Sequence, residues 1–251
     1  MGAWFIWNGK DSRTMGIVVT EVPPQVFPEE RMQQVSILGR PGALLIPEGD
    51  GIYDPYVKSI GIANRGVGNF REIAAWLRGS GQLILSTEPE YAYTARIVSE
   101  AQAERLFLST YGGQVDFLVQ PLKEEYPPEP VVPITANGDG STEITARGDV
   151  PARPVYRIEG TGEIVLTVGD ASEDGTGSVL SIDLDEGMDG FVVDTDAAMV
   201  TSLDGTENLC SLCELFYNGF RGLWLPVGET TTISWTGSVT SVSIDPRWRW
   251  L

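Results

Sequence analysis

Residues Gly68–Val98 read GNFREIAAWLRGSGQLILSTEPEYAYTARIV. The hydrophobic period changes in the middle of this stretch. Up to Gly79 the apolar residues Phe70, Ile73, Ala74 and Leu77 recur at helical spacing and share one face. Asn69 suits the N-cap, where its side-chain oxygen can accept from a free amide of the first turn, and Glu72 can complete a box-like arrangement. Gly79 ends the helix, with Arg78 where the helix dipole favours a cation. The spacing predicts a helix over 69–79. Beyond Gly79 the segments QLILS and YAYTARIVS read as strands joined by TEPE. A single amphipathic helix beside strands predicts a helix covering one side of a sheet.

Reading outward toward the N-terminus, residues 2–7 form a strand ended by the Asn8-Gly9 hairpin signal, and MGIVVTEV follows as another. QQVSIL leads into VSILGRPGALL, Val35–Leu45. There Pro41 fixes φ for the second position of a β-turn and Gly42 can take positive φ at the third, a type II turn with Arg40 at its tip. YVKSIGIAN alternates, with Val57, Ser59 and Gly61 on one face and Tyr56, Lys58, Ile60 and Ile62 on the other. Reading outward toward the C-terminus, RLFLSTYGGQVDFLVQP predicts a hairpin turned at Tyr111-Gly112-Gly113. LKEEYPPEPVVP then carries Pro127, Pro128, Pro130 and Pro133, which stiffen an extended linker. After it, short strands such as VYRIEG, EIVLTVG, SVLSIDL and TTTISWTG alternate with Gly, Asp and Asn turns and show no helical pattern, which predicts a β-sandwich. The expected fold is mainly β. Residues 1–125 form a β-sandwich or barrel-like domain with one helix and a β-hairpin, 126–133 a linker, and 134–251 a second β-sandwich.

Composition removes several chemistries. Formal net charge is −18, divided as −5 over residues 1–130 and −13 over 131–251. No basic tract gives the footprint of a nucleic-acid binder, and such acidity repels polyanions. The chain has no histidine, which excludes Ser-His-Asp and Cys-His catalysis and histidine-ligated metal. Cys210 and Cys213 form one C-x-x-C without a second pair, half of a zinc site at most, and read as reduced thiols beside a core strand. The acidic runs Gly169–Gly175 and Asp183–Gly190 lack the ligand spacing of a calcium loop, since Gly187 and Asp196 fall where ligands are needed, and read as solvated hairpin tips. The pairs Glu88/Glu90 and Glu124/Glu125 flank prolines without a perturbing environment, so neither catalysis nor a cofactor is expected. YNGFRGLW offers Tyr217, Phe220 and Trp224 as a candidate aromatic patch for sugar or protein. The N-terminus has no signal-peptide pattern and no run is long enough to span a membrane, so a soluble protein made in a cytoplasm is expected.

The order of segments resembles the distal tail protein (Dit) family of long-tailed, non-contractile phages. FIWNGKDSRTMGIVV resembles the family's opening strand, Asn-Gly turn and Gly-Ile strand. LGRPGAL resembles its Gly-Arg-x-Gly element, with Pro41 where an acidic residue is common. IAAWLRGSGQLILSTEPEYAYTARIV is similar to its helix, strand and hairpin. RPVYRIEGTGEIVLTVG, LSIDLDEG and LPVGETTTISWTGSVTSVSIDPRWRWL resemble its C-terminal sandwich. The resemblance implies a galectin-like C-terminal domain and a homohexameric ring at the tail tip. That ring joins the tail tube protein to the tail-associated hub protein, carries receptor-binding proteins or side fibres, and passes DNA without binding it. It also implies a virion component assembled in the host cytoplasm, not an enzyme. With it, Gly39, Arg40, Pro41 and Gly42 become candidates for the subunit interface, where a guanidinium can bond carbonyls or a carboxylate. Arg65, Arg71 and Arg78 are candidates for a basic collar in an otherwise neutral-to-negative channel. The alternative is a carbohydrate-binding module or adhesin for host-surface sugars.

Overall fold

The computed structural model describes residues 2–48, 52–64, 70–98, 104–107 and 110–251. The chain divides into two units, one running to Pro127 and including Leu251, the other Pro128–Trp250.

The first unit contains β1 (Phe5–Trp7), β2 (Lys10–Asp11), β3 (Ile17–Glu21), β4 (Met32–Ser36), β5 (Ala43–Pro47) and β6 (Tyr56–Asn64). After these come α1 (Phe70–Trp76), β7 (Ser80–Leu85), β8 (Glu88–Ile97), β9 (Glu104–Phe107) and β10 (Thr110–Glu125). The main sheet runs β2-β1-β7-β8-β10-β6-β3, with β9 also on β10, and its ladders are antiparallel. Aromatic rings fill its core. Phe117 meets Trp7 edge-on at 5.2 Å, and Phe5 stacks on Trp76 at 5.7 Å. The helix buries Ile73 and Leu77. Its Trp76 indole N–H donates to the Trp7 carbonyl at 3.0 Å, which ties α1 to β1.

The helix is shorter than its periodicity predicts, ending at Trp76. Leu77 still donates to the Ile73 carbonyl, and Gly79 takes φ +77°, the left-handed conformation that stops a helix. Arg78 lies past the last turn, yet its Nε donates to the Ala74 carbonyl at 2.9 Å, satisfying a group that the helix end leaves free. Asn69 lies outside the described residues. TEPE is strand from Glu88 onward, with the reversal at Ser86 and Thr87. The next hairpin does not turn at Tyr111-Gly112-Gly113. Tyr111 and Gly112 pair with Arg105 and Glu104, so they are strand rather than turn. Gly112 and Gly113 pair with Ala63 and Ile62 inside β10. β10 also continues through Pro121, which sits where its ladder to β8 is irregular between Val119 and Lys123. A residue without an N–H is tolerated there because the regular ladder is already interrupted.

The second unit contains β11 (Ile134–Thr135), β12 (Gly140–Thr145), β13 (Val155–Val168), β14 (Ser178–Asp183), β15 (Gly190–Asp194), β16 (Met199–Ser202), β17 (Cys213–Tyr217) and β18 (Thr230–Asp245). Two long strands organise it. The first part of β13 lies between β15 and the end of β18, and its second part between β14 and the start of β18. The register between β13 and β18 shifts around Gly160–Ile164. There Gly237 takes φ +112°, and a Cβ on it would lie 2.3 Å from the Glu163 carbonyl oxygen, so only glycine fits. The inward residues of both halves, among them Tyr156, Ile158, Leu166, Leu180, Phe191, Val193, Ile233 and Trp235, form one core. Alternation along β13 is regular on both sides of the shift, as strands packed on one face require.

Candidate functional site

β4 and β5 form a two-stranded sheet of their own, separate from the main one. Met32 faces Pro47, Val35 faces Leu44, and Ser36 faces Ala43, with residues 37–42 as the loop. The root of this arm is tied by Arg31 N–H to the Ile52 carbonyl and Asp54 N–H to the Glu29 carbonyl. An Arg31–Asp54 ion pair at 2.7 Å reinforces it. Among the described residues nothing comparable covers the strands. Every residue of β5 is exposed, and only Val35 in β4 is partly covered.

Cross-strand pairing puts Gln33, Val35, Leu44 and Ile46 on one face of the arm and Met32, Gln34, Leu45 and Pro47 on the other. Both faces are therefore apolar. Between Met32 and Pro47 the sole charged residue is Arg40, in a chain where 21% of residues are charged. A solvated surface hairpin alternates polar with apolar, whereas strands buried on both faces read as this arm does. An isolated two-stranded hairpin is marginal in water, and a contiguous exposed apolar patch marks an interaction surface.

The tip places Gly39, Arg40, Pro41 and Gly42 in the open. The hydrogen-bonded turn comes earlier than Pro41 predicts: Arg40 N–H donates to the Ile37 carbonyl at 3.1 Å, with Gly39 at φ +81°. Gly42 takes φ +84°, the positive value expected of it. Leu38 is fully exposed. Among the described residues the Arg40 guanidinium has no hydrogen bond or ion pair, unlike the root's Arg31. The arm thus ends in an uncompensated cation beside a bare leucine. The apolar residues Met32, Leu38, Leu44, Leu45 and Ile46 were not singled out from sequence. The near-absence of charge from 32 to 47 is the signal that could have found them.

The aromatic candidates are not one open platform. Tyr217 is exposed, at φ +66° at the end of β17. Phe220 packs against the second core. Trp224 is half-buried, with its indole N–H toward the Thr195 carbonyl and the guanidinium carbons of Arg153 and Arg221 at 4.5 and 5.9 Å from its ring. Arg153 and Arg249 also clasp Asp196 at 2.6 and 2.7 Å. Burial alone would raise that carboxyl, but the two guanidiniums outweigh it and hold Asp196 at about 2.

Cys210 is exposed and Cys213 half-buried, its Sγ donating to the Leu209 carbonyl at 3.2 Å. Burial and then the neighbouring Cys210 push the Cys213 thiol up to about 11. Among the described residues no three His, Cys, Asp or Glu side chains are grouped to hold a metal. The run Gly169–Gly175 is closed by turns, with Gly175 N–H donating to the Ser172 carbonyl and Gly177 N–H to that of Asp170. Arg71 is exposed on α1, and Arg65 lies outside the described residues. No described helix is long and apolar enough to cross a membrane.

No protein-family model matches this chain, and no curated protein sequence matches it. Solved structures do. The SPP1 Dit protein, described as a paradigm of the hub adsorption apparatus in phages infecting Gram-positive hosts, matches with a TM-score of 0.70. The match covers 100% of both chains at 17% identity. A chain of the phage p2 baseplate, in its activated conformation with strontium, matches over 97% of both chains with a TM-score of 0.53 and 9% identity. The likeness is one of fold, and it extends over the whole of this chain.

Proposed function

We propose that this chain is a structural protein of a phage virion, a distal tail protein forming a hexameric ring at the tip of the tail. In this reading the ring joins the tail tube protein to the hub protein, carries receptor-binding proteins or side fibres, and lets DNA pass. The observation that carries the reading is the match to SPP1 Dit across the whole of both chains. The arm supports it. Subunits that repeat head to tail close into a ring when each offers a projecting element and a place to receive it. β4 and β5 are such an element, and Arg40 at their tip can bond carbonyls or a carboxylate of the next subunit. The chain's function is assembly rather than catalysis, in the host cytoplasm first and then in the virion.

The net charge of −18 supports a channel that does not retain DNA, since phosphate binding requires basic side chains that release counterions. A sugar-binding reading loses support at Trp224, whose ring is already engaged by arginines. Electron microscopy of the purified protein and of isolated tails tests the proposal. Six-fold rings, and labelling of the protein at the tail tip, are expected. Monomers at all concentrations, together with absence from the tail, overturn it.

A further inference from the structure

Lys58 of the first unit is buried with no hydrogen-bond or ion-pair partner among the described residues. Lys58 is 3% exposed, on the face of β6 that also carries Tyr56 and Ile60. Among the described residues its ammonium makes no hydrogen bond and no ion pair, whereas its neighbour Lys123 makes both. Aromatic faces surround it instead. Nζ lies 4.9 Å from the Tyr93 ring centroid and 5.4 Å from that of Tyr56.

Among the described residues the charges that act on Lys58 are those of Glu88 and Lys123. Glu88 is already engaged, accepting from the Tyr93 hydroxyl and from Lys123 Nζ at 3.2 Å. Lys123 in turn lies over the Tyr91 ring at 5.2 Å. Among the described residues the cluster therefore holds two ammoniums and one carboxylate, a surplus of one positive charge. Burial, then Lys123, push Lys58 below the ordinary lysine range, and Glu88 opposes them only in part. Ring faces stabilise a cation, but less than a counter-ion does. The cluster is not sealed: Gln25 beside it is exposed, and Tyr56, Glu88, Tyr91 and Lys123 are each partly exposed.

We propose that this cluster is a binding site for one carboxylate group, which Lys58 receives beside the rings of Tyr56 and Tyr93. A single negative charge balances the surplus. A dianion would leave a net negative charge next to Glu88, which favours a carboxylate over a doubly charged phosphate. The group comes from a small free acid or from an Asp or Glu side chain of another chain. The site lies within the first unit and does not depend on the tail-tip reading.

The chain has three lysines, Lys10, Lys58 and Lys123, so reductive methylation of the full-length protein near neutral pH can be followed residue by residue by mass spectrometry. The probes are sodium acetate against sodium chloride at equal ionic strength, and acetyl-Gly-Glu-Gly-amide against its Gln analogue. A bound carboxylate keeps the Lys58 amine protonated and shielded, so its methylation slows severalfold while the exposed Lys10 is unchanged. Protection by acetate alone identifies a small free acid, and protection by the Glu peptide identifies a protein side chain. Lack of protection by either overturns the proposal. As a second measurement, acetate raises the melting temperature over chloride in the wild type and not in Lys58→Met. The same gain in both proteins places the anion elsewhere and also overturns it.

Discussion

Two hairpins of the first unit are built from nearly the same residues and have opposite environments. In β7, Leu83-Ile84-Leu85 are at most 3% exposed. In β5, Leu44-Leu45-Ile46 are each more than 40% exposed. β7 is paired on both edges, by β1 and β8, and lies over Trp7, Tyr93 and Phe117. β5 is paired on one edge alone. Nearly identical side-chain chemistry thus contributes to folding in one place and is left exposed in the other, where the proposed function uses it for association. What differs is the number of neighbours the chain itself supplies.

The comparison is broken or upheld most directly by truncating one leucine in each hairpin. Leu83→Ala removes a side chain that is 0% exposed, and should cost about 4 kcal/mol in urea unfolding. Leu45→Ala should change unfolding by no more than about 0.5 kcal/mol, while, on the proposed function, lowering the fraction assembled into rings. Equal destabilisation by both would mean that the arm is part of a folded core.

How much of this was legible in the sequence follows from the same contrast. The helix was legible because its signal is local: the spacing of Ile73 and Leu77 and the stop at Gly79 need nothing from elsewhere. The positive φ of Gly42 was legible for the same reason, from the Pro41-Gly42 pair alone. The arm's exposure was not, since QLILS and GALLI carry the same residues and only non-local pairing separates them. The turn assigned to Tyr111-Gly112-Gly113 failed in the opposite way. Gly-Gly is turn chemistry in isolation, but here Ala63 and Ile62 hold both glycines in a ladder. Lys58 was placed on its correct face by alternation. That its ammonium makes no ion pair among the described residues was invisible, because Glu88 and Lys123, the charges beside it, come from strands far along the chain.

The arginines extend the comparison. Arg153 and Arg249 share Asp196, whereas Arg40 has no partner among the described residues. Arg40→Ala should leave circular dichroism and melting unchanged and, in the proposed ring, weaken each subunit contact by about 2 kcal/mol, read as smaller species in sedimentation. Unchanged assembly would return the loop to a solvated tip.

Asp196→Asn should act on the fold instead, by about 1 kcal/mol, a modest figure because the pair is partly open to solvent and screened. The folded carboxyl sits at about 2, below its ordinary 3.8. Its contribution is therefore fully present above about pH 4 and lost as pH falls through 2. Wild type and variant should differ in urea midpoint near neutrality and converge in acid. A constant difference would assign the effect to packing rather than charge.

The smallest effect is expected where the buried and exposed environments meet in one residue type. Cys213 is half-buried and Cys210 exposed, and no third or fourth ligand is grouped with them among the described residues. Serine at 213 can keep the hydrogen bond to the Leu209 carbonyl that the thiol now makes, and serine at 210 can still accept from the Val200 N–H, which donates to the Cys210 sulfur at 3.2 Å. The double variant should therefore lose about 0.5 kcal/mol or less and assemble as the wild type does. The thiols should also differ in reactivity. With its thiol at about 11, Cys213 is almost wholly protonated in neutral buffer. Iodoacetamide attacks the thiolate, so it should label Cys210 first. Stoichiometric zinc in the wild type, lost from the double variant, would show instead that the pair recruits ligands from a second chain.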